Sequence, residues 1–295
     1  MLTSPRRDEL VVVDDITLHV VQWGEHGAPI VCVHGITANA FFFQSLADSL
    51  SQHHRVIAYD LRGRGDSDKP AQGYSVPVHA QDLARLIDVL GLERPIVIGH
   101  SLGALIALYF AAHYPEKIRK LVLIDAGLPL PWNTPEEQPA WLTTAINRLG
   151  TSVPSFAEYI ARLKQAPFLG PYWNQYVDVY YEHDVYHASD GSVSAKCLRA
   201  AAIEEGQHYG EARPEQQWAN VQVPTLLLRA GQGLFFENDQ LVPEEYVAAA
   251  LREFKDIRYV NFPMLNHYTI LFGVKQGPAL AIQTFIDEES EETKV

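Results

Sequence analysis

The stretch VIGHSLGALIALYF, residues 97–110, places a single serine, Ser101, within the most hydrophobic run of the chain. Gly99 and Gly103 flank this serine two residues away on either side. The β-branched residues before it predict a short strand, and the apolar residues after it predict a buried helix. A Cβ at either glycine would collide with the adjoining strand or helix in a tight turn. The stretch therefore predicts a strand, a sharp turn that lifts the serine hydroxyl above a sheet, and a helix.

Short apolar runs alternate with helical patterns along most of the chain. We expect strands at residues 17–23, 30–34, 55–60, 96–99, 121–125, 225–230 and 257–261, and helices at 41–50, 78–90 and 102–113. This alternation is typical of an α/β fold with a mostly parallel, doubly wound sheet. The alternation fails between 128 and 221, where Pro, Trp and Tyr are frequent and no strand is predicted. We expect a core domain of residues 1–127 and 222–295, with 128–221 inserted as a helical cap over the carboxyl edge of the sheet.

The overall composition limits the classes of partner. The 295 residues are 47% hydrophobic, so they can bury a large core. Their formal charge of −13 predicts no basic surface that would bind nucleic acid or anionic lipid. No apolar run is long enough for a secretory segment or a membrane span, which predicts a cytoplasmic protein. Cys32 and Cys197 are expected to be buried thiols. The sequence leaves the oligomeric state open.

Several further segments, in the right order, extend the pattern around Ser101. VCVHGITANAFFF holds a His-Gly loop after a strand, YDLRGRGDSDKP resembles a D-x-R-G-x-G-x-S loop, and MLNHYT puts His267 just after the last predicted strand. Together with GHSLG, which matches the G-x-S-x-G nucleophile elbow, these segments resemble the α/β-hydrolase superfamily. The resemblance implies that Ser101 is the nucleophile and His267 the general base. It also implies an oxyanion hole formed by the backbone N–H groups of Ile36 and Leu102.

The acidic member of the implied triad is harder to assign. Relatives usually place it after the seventh strand, in a stretch that here reads RAGQGLFFENDQLVPEE. Asp239 matches the end of that pattern but comes several residues late, and Glu237 is a neighbouring alternative. Asp125, at the end of the strand 121–125, occupies another position where some relatives keep the acid. We expect Asp239, with Asp125 second and Glu237 third.

A serine hydroxyl is a poor nucleophile at neutral pH, so the proposed roles require a positioned imidazole and a carboxylate. The expected activity is a carboxylesterase-like serine hydrolase that cleaves small apolar esters with short or medium acyl groups through an acyl-enzyme. Phe41, Phe42, Tyr180 and Tyr181 are expected to line the substrate pocket. Neither a cofactor nor a metal is expected. A lactonase, a C–C bond hydrolase, a perhydrolase or acyltransferase, and a non-enzymatic ligand receptor remain open as alternatives.

Other histidines and motifs favour structural roles. His34 is expected to hold the geometry of its loop, and His100 to point away from Ser101. His183 and His187 have the helical i, i+4 spacing of a metal pair but lack the H-E-x-x-H order. The RGD triplet within RGRGDS, residues 62–67, fits a structural turn better than an adhesion motif.

Overall fold

The computed structural model describes residues 2–130, 137–138, 140–237 and 239–288. Its strands are β1 (Arg7–Val13), β2 (Ile16–Trp23), β3 (Pro29–Val33), β4 (Arg55–Tyr59), β5 (Ile96–His100), β6 (Lys120–Ile124), β7 (Ser152–Val153), β8 (Val185–His187), β9 (Val193–Ala195), β10 (Thr225–Ala230) and β11 (Ile257–Phe262). Its α-helices are α1 (Gln44–Leu50), α2 (Val76–Val89), α3 (Leu102–His113), α4 (Ala140–Asn147), α5 (Phe156–Leu163), α6 (Gln175–His183), α7 (Arg199–His208), α8 (Pro214–Gln217), α9 (Glu244–Glu253) and α10 (Gly277–Asp287).

The central sheet has eight strands in the order β1-β2-β4-β3-β5-β6-β10-β11. Strands β1 and β2 pair antiparallel, and β2 also pairs antiparallel with β4. The pairings from β4 to β11 are parallel. The predicted mostly parallel, doubly wound α/β sheet is therefore confirmed.

Both faces of the sheet are covered, and the strand sequences show why. Along β3, Val31 and Val33 pack into one apolar cluster, with residues of α2 and α3. Ile30 and Cys32 pack into a second cluster, with residues of α1 and α10. Because alternate side chains of a strand point to opposite faces, a strand buried on both sides must be apolar throughout. This explains the continuous hydrophobic runs that mark the core strands.

The predicted strand positions agree with the observed strands to within about two residues, but β1 was not predicted. Strand β1 lies at the edge of the sheet and most of it is exposed. Leu10 and Val12 point to solvent there and are 63% and 67% exposed. Because these two apolar residues face solvent, their spacing does not mark a buried face, and hydrophobic periodicity could not identify the strand. The predicted helix at 41–50 is a 3₁₀ turn, Ala40–Phe43, followed by α1.

The segment between β6 and β10, which we call the cap, is not purely helical as expected. Besides α4 to α8 it contains a three-stranded antiparallel sheet in the order β7-β9-β8. These strands have two or three residues each, too few to show an alternating pattern. His187 lies on β8, after α6 has ended at His183, so the two histidines are not one helical turn apart. Residues 131–136 and 139 of this segment, including Trp132, lie outside the described residues.

The cap is hydrogen-bonded to loops of the core. The Asn39 side chain, after β3, donates to the carbonyl of Tyr180, and the Asn266 side chain, after β11, donates to the carbonyl of Phe168. Both loops follow the carboxyl ends of their strands, which is the edge where ligands bind in sheets of this type.

Two expectations concern the whole chain: the state of its cysteines and the length of its apolar segments. Cys32 and Cys197 are both free and buried, as predicted. Across the described ranges, no helix combines the length and the apolar character needed to cross a membrane.

Candidate active site

Ser101 occupies the sharp turn between β5 and α3 that the sequence predicts. Its backbone has φ 58° and ψ −125°, in the left-handed half of conformational space that non-glycine residues rarely adopt. The Ser101 N–H donates to the carbonyl of Ile124 at 3.1 Å, which ties the turn to the end of β6. Backbone strain of this kind persists only where the surroundings enforce it, and it is frequent at functional sites.

The glycines around the turn have the steric role expected from the sequence. A Cβ added to Gly99 would lie 2.1 Å from the carbonyl oxygen of Gly103, and one added to Gly103 would lie 2.0 Å from the carbonyl oxygen of Val33. Gly35 shows a close approach that was not predicted. A Cβ there would lie 3.0 Å from the Ser101 Cβ. The glycines therefore allow β3, β5 and α3 to converge on the serine.

His267 follows β11, and its ring meets a buried carboxylate. The Nδ1–H group donates to Oδ2 of Asp125 at 2.7 Å, and both side chains are buried. The other carboxylate oxygen of Asp125 accepts the backbone N–H of Ala230 at 2.9 Å. With the proton on Nδ1, the Nε2 atom of the neutral ring is free to accept a proton. The arrangement thus suits a general base whose tautomer is set by Asp125.

The expectation that Asp239 supports His267 is wrong in this structure. The Asp239 carboxylate accepts backbone N–H groups of its own loop, from Leu234 at 2.6 Å, Phe235 at 2.9 Å and Phe236 at 3.3 Å. Glu237, the third choice, is exposed to solvent. Residues 234–236 are therefore folded back onto Asp239.

Sheet order explains why Asp125 takes this place. Strands β6 and β10 are parallel neighbours, and Ile124 pairs with Leu228 near their carboxyl ends. The residue that follows β6 therefore emerges beside the end of β10, where the sequence pattern placed the acid. Asp125 turns its side chain toward His267 with a φ of 49°.

The Ser101 hydroxyl and the His267 ring line the same cavity. Hydrogen bonds within the described part of the chain do not include one between these two groups. Such bonds are often long in enzymes without substrate and shorten when substrate binds. The structure therefore brings the Ser101 side chain and the His267 ring to one cavity without a hydrogen bond between them.

Two more histidines support the site. His100 lines the cavity beside Ser101, contrary to expectation, and its Nε2–H donates to the carbonyl of His267 at 2.9 Å. Burial, together with the nearby His267, holds the pKa of His100 well below its usual range, so the ring is neutral. His34 stabilises its loop as predicted, since its Nδ1–H donates to the carbonyl of Gly35 and its Nε2 accepts the N–H of Leu61. Burial lowers the pKa of His34 to about 4.

The backbone N–H groups of Ile36 and Leu102 are available as donors. Within the residues that the structure describes, neither group donates a hydrogen bond to another part of the protein. Both residues line a cavity together with Ser101, and Leu102 is the first residue of α3. Free N–H groups at a helix N-terminus favour negative charge. The geometry is compatible with the implied oxyanion hole, which stays a prediction.

Two small, mostly apolar cavities meet at Ser101. They measure about 30 Å³ and about 20 Å³, and they share Ile36, Ser101, Trp141 and Leu142. The first is also lined by Gly35, Thr37, Ala38, Phe42, His100, Ala145, Tyr180, His267 and Tyr268. The second is also lined by Leu102, Leu105, Ala126, Leu130, Tyr209 and Leu241. Space therefore exists on two sides of the serine, as a substrate with two arms would require.

Of the residues expected to contact substrate, Phe42 and Tyr180 line the first cavity. Phe41 and Tyr181 do not line either of the two cavities. Phe41 stacks on His183 with ring centroids 3.5 Å apart, and Tyr181 packs on other cap aromatics. Consecutive aromatic residues point in different directions, so at most one of each pair can face the site. Trp141, from the cap, and Tyr268, from the loop after β11, also line the first cavity, and the position of each depends on how the cap or the loop folds.

The loop after β4 is structural, as its sequence predicts. Asp60 accepts N–H groups of Ala40 and Asp66 and the Nδ1–H of His19. Burial alone would raise the pKa of Asp60, but the hydrogen bond and charge of His19, the nearby His34 and the N–H of Asp66 lower it to about 2. Arg64, the first residue of the RGD triplet, is fully buried, which excludes recognition of the triplet from solvent.

Comparison with known proteins identifies the family of the chain. The sequence pattern of the alpha/beta hydrolase fold matches residues 28–274, most of the chain. The chain belongs to the alpha/beta hydrolase family. A 2-(acetamidomethylene)succinate hydrolase from Mesorhizobium japonicum is 30% identical over 262 residues, which cover 88% of this chain and 87% of that enzyme. The crystal structure of E-2-(acetamidomethylene)succinate hydrolase superposes with a TM-score of 0.83 at 28% identity, covering 96% of this chain and 99% of that one.

A third relative matches only a part of the chain. An uncharacterized protein from Mycobacterium tuberculosis is 41% identical over 101 residues. That match covers 34% of this chain and 30% of the relative's length.

Proposed function

We propose that this hydrolase is a serine hydrolase that cleaves a carboxylic ester of a small, mostly apolar substrate through an acyl-enzyme. The observation that carries the proposal is the buried hydrogen bond from His267 to Asp125 beside a serine held in a strained turn. In this scheme Ser101 is the nucleophile, His267 the general base and Asp125 the acid.

The reaction would proceed in two halves. The Ser101 oxygen attacks the ester carbonyl while its proton passes to Nε2 of His267. The negative charge that develops on the carbonyl oxygen is stabilised by the N–H groups of Ile36 and Leu102. Collapse of this intermediate breaks the ester bond, and His267 returns the proton to the leaving alcohol. Water then attacks the acyl-serine with the same base, releasing the acid and restoring Ser101.

The cavities support a small, neutral substrate. The described lining residues include no Asp, Glu, Lys or Arg, so neither cavity offers a charged partner for an ionic acyl group. Their volumes are far below the roughly 300 to 1,000 Å³ of typical ligand sites. Short acyl groups therefore fit with the least displacement of Trp141 and Leu142, and longer ones require the cap to move.

Lactones and amides share the carbonyl that the serine would attack, so they belong in the same panel of substrates. The relative from Mesorhizobium is named for the hydrolysis of 2-(acetamidomethylene)succinate, and this compound is the specific alternative to test. The absence of a cation among the described lining residues favours the neutral ester over this dicarboxylate.

The test combines labelling with turnover. A fluorophosphonate should label the wild-type protein once, at Ser101, and should not label Ser101→Ala. Hydrolysis of p-nitrophenyl esters from acetate to laurate should be fastest for the shorter chains. Labelling without turnover of any ester, lactone or amide would identify a ligand receptor, and strong preference for the dicarboxylate would replace the ester assignment.

A further inference from the structure

A buried arginine connects the loop after β3 that carries Ile36, which we call the oxyanion loop, to the cap. Arg64 lies on the loop after β4 and is fully buried. Its Nε–H donates to the carbonyl of Ile36 at 2.9 Å, and its Nη1 donates to the carbonyl of Arg62 at 3.0 Å. Its Nη2 donates to the carboxylate of Glu205. The planar guanidinium thus joins two core loops and one side chain from helix α7 of the cap.

Glu205 is itself held from two sides. One carboxylate oxygen accepts from Arg64, and the other bonds to Nε2 of His79 on α2. All three side chains are buried, with exposed fractions of 2% or less. In a buried site the removal of one member leaves an uncompensated charge, so the three groups hold one another in place. Helix α7 is therefore fixed to the core through a cation that also binds the Ile36 carbonyl.

The peptide groups on both sides of Ile36 are constrained. The Ile36 N–H belongs to the same peptide as the Gly35 carbonyl, which accepts from His34 and from the N–H of Ala38. The Ile36 carbonyl belongs to the next peptide and accepts from Arg64, with the Cys197 thiol 3.7 Å away. The bonds from His34 and Ala38 thus hold the peptide that carries the Ile36 N–H, and Arg64 holds the next peptide. Ile36 lines the Ser101 cavity, so a shift of its backbone would move its N–H relative to the serine.

The carbonyl of the next residue, Thr37, is held much less firmly than the Ile36 carbonyl. Its donors, the Arg148 guanidinium and the Tyr180 hydroxyl, both lie 3.5 Å away, at the outer limit of hydrogen bonding. The 2.9 Å bond from Arg64 to the Ile36 carbonyl is therefore a stronger restraint than either bond to the Thr37 carbonyl.

We propose that Arg64 is a positioning residue for the oxyanion hole, and that its bond to Glu205 makes the orientation of the Ile36 N–H depend on the seating of helix α7 against the core. The inference rests on the proposed serine hydrolase function. It explains why the cap contributes a buried carboxylate to a cluster outside the cavities. A displaced α7 would leave the nucleophile and base in place but would loosen one of the two oxyanion donors.

The chain supplies a matched control on the same helix. Glu204 also ties α7 to the core, since one of its carboxylate oxygens accepts the N–H groups of Gly73 and Tyr74 at 2.9 Å each. Glu204 has no described contact with the oxyanion loop. Glu204→Gln therefore weakens cap attachment alone, whereas Glu205→Gln also weakens the restraint on Arg64.

Three measurements should separate these roles. For Glu205→Gln we expect kcat for a short ester to fall by about 10- to 100-fold with KM nearly unchanged, less than or comparable to the loss of a whole oxyanion donor. A trifluoromethyl ketone, whose carbonyl carbon bonds to Ser101 and leaves an oxyanion in the hole, should bind more weakly by a similar factor. Amide hydrogen exchange in a peptide covering residues 30–41 should become faster. Glu204→Gln should lower the melting temperature but change none of the three by more than about twofold.

Two further variants guard against simple misfolding. Arg64→Lys keeps a positive charge for Glu205 but lacks the fork that reaches the Ile36 carbonyl, so it should lose kcat as Glu205→Gln does. Glu205→Asp keeps the charge and should recover part of the lost kcat. The melting temperature of each variant, measured in parallel, shows whether that variant is folded under the conditions of the assay.

The outcomes distinguish this inference from the proposed function. Equal kinetics, ketone affinity and exchange in Glu205→Gln and Glu204→Gln would overturn the role of Arg64. If the wild-type protein neither cleaves esters nor binds the ketone, the serine hydrolase function fails instead. In that case the exchange measurement still tests whether Arg64 holds the Ile36 loop.

Discussion

Asp125→Asn is the substitution that discriminates most sharply between the possible acids. Asparagine has the size of aspartate and can keep one oxygen as the acceptor for the Ala230 N–H. Its amide group would then face Nδ1 of His267, where the carboxylate oxygen now accepts at 2.7 Å. An N–H group in that position favours the tautomer with the proton on Nε2, which can no longer accept the proton of Ser101.

The expected loss is large in rate and moderate in stability. An imidazole held in the wrong tautomer lowers kcat by up to about 10⁴-fold in a triad of this kind. The lost charge-assisted hydrogen bond costs about 1.5 to 3 kcal/mol of the free energy of unfolding, since the pair is buried. We expect a folded protein by circular dichroism with almost no turnover of a short p-nitrophenyl ester.

Asp239→Asn provides the comparison. The Asp239 carboxylate serves three N–H groups of its own loop, and an amide keeps only one of the two acceptor oxygens. This variant should lose about 1 to 2 kcal/mol of stability and keep kcat within about threefold. Glu237→Gln, at an exposed position, should behave as wild type. An active Asp125→Asn protein, or an inactive but folded Asp239→Asn protein, would refute the assignment.

Other expected results concern the base, the cavity and the pH dependence of stability. Ser101→Ala and His267→Ala should each abolish nearly all hydrolysis, and the double variant should be little worse, because the two act as a unit; additive losses measured with the same ester would argue against a shared step. Trp141→Ala should shift the preferred p-nitrophenyl ester toward longer acyl chains, since Trp141 lines both cavities, and an unchanged chain-length profile would count against that role. Burial opposes protonation of His19, but hydrogen bonds and charges of Asp60 and Asp8 raise its pKa from 6.5 to about 9. The stabilisation of the folded protein by protonated His19 is therefore complete below the pKa of this residue in the unfolded chain. About 3 kcal/mol of it is lost as pH rises from 6.5 through 9. Urea unfolding should show this decrease in the wild-type protein and not in His19→Gln.

The central features of the site could be predicted because their signals are local. A strand, a tight turn and a helix around Ser101 require small residues at fixed distances, and Gly99 and Gly103 meet atoms of β3 and α3 as that geometry demands. Core strands buried on both faces leave uninterrupted apolar runs, so their order along the chain was readable. The family resemblance pointed to His267 as the base through its place after the last predicted strand.

The acid could not be predicted in the same way, because its position depends on neighbours in the sheet. Asp125 and Asp239 both follow core strands, and the DQLVP pattern favours Asp239. Only the pairing of β6 with β10 shows that the end of β6 lies beside the expected position. The backbone bonds that hold Asp239 come from residues 234–236, and no hydrophobic periodicity in the sequence predicts how these residues turn.

The cap was the part least accessible to sequence reasoning. Its strands are too short for a pattern, and its aromatic residues divide between packing and the cavities according to direction alone. Tyr180 faces the first cavity while Tyr181 packs against Trp173, although both are buried. The roles of neighbouring residues of the same type cannot be distinguished from the sequence alone.

The most direct test of the proposed mechanism is detection of the acyl-enzyme. Wild-type protein mixed with p-nitrophenyl acetate and quenched rapidly in acid should gain the mass of one acetyl group, and peptide mapping should place that group on Ser101. His267→Ala should show no such adduct at the same time point. Ester turnover without acylation of Ser101, or an acetyl group carried by a different residue, would contradict the proposed mechanism.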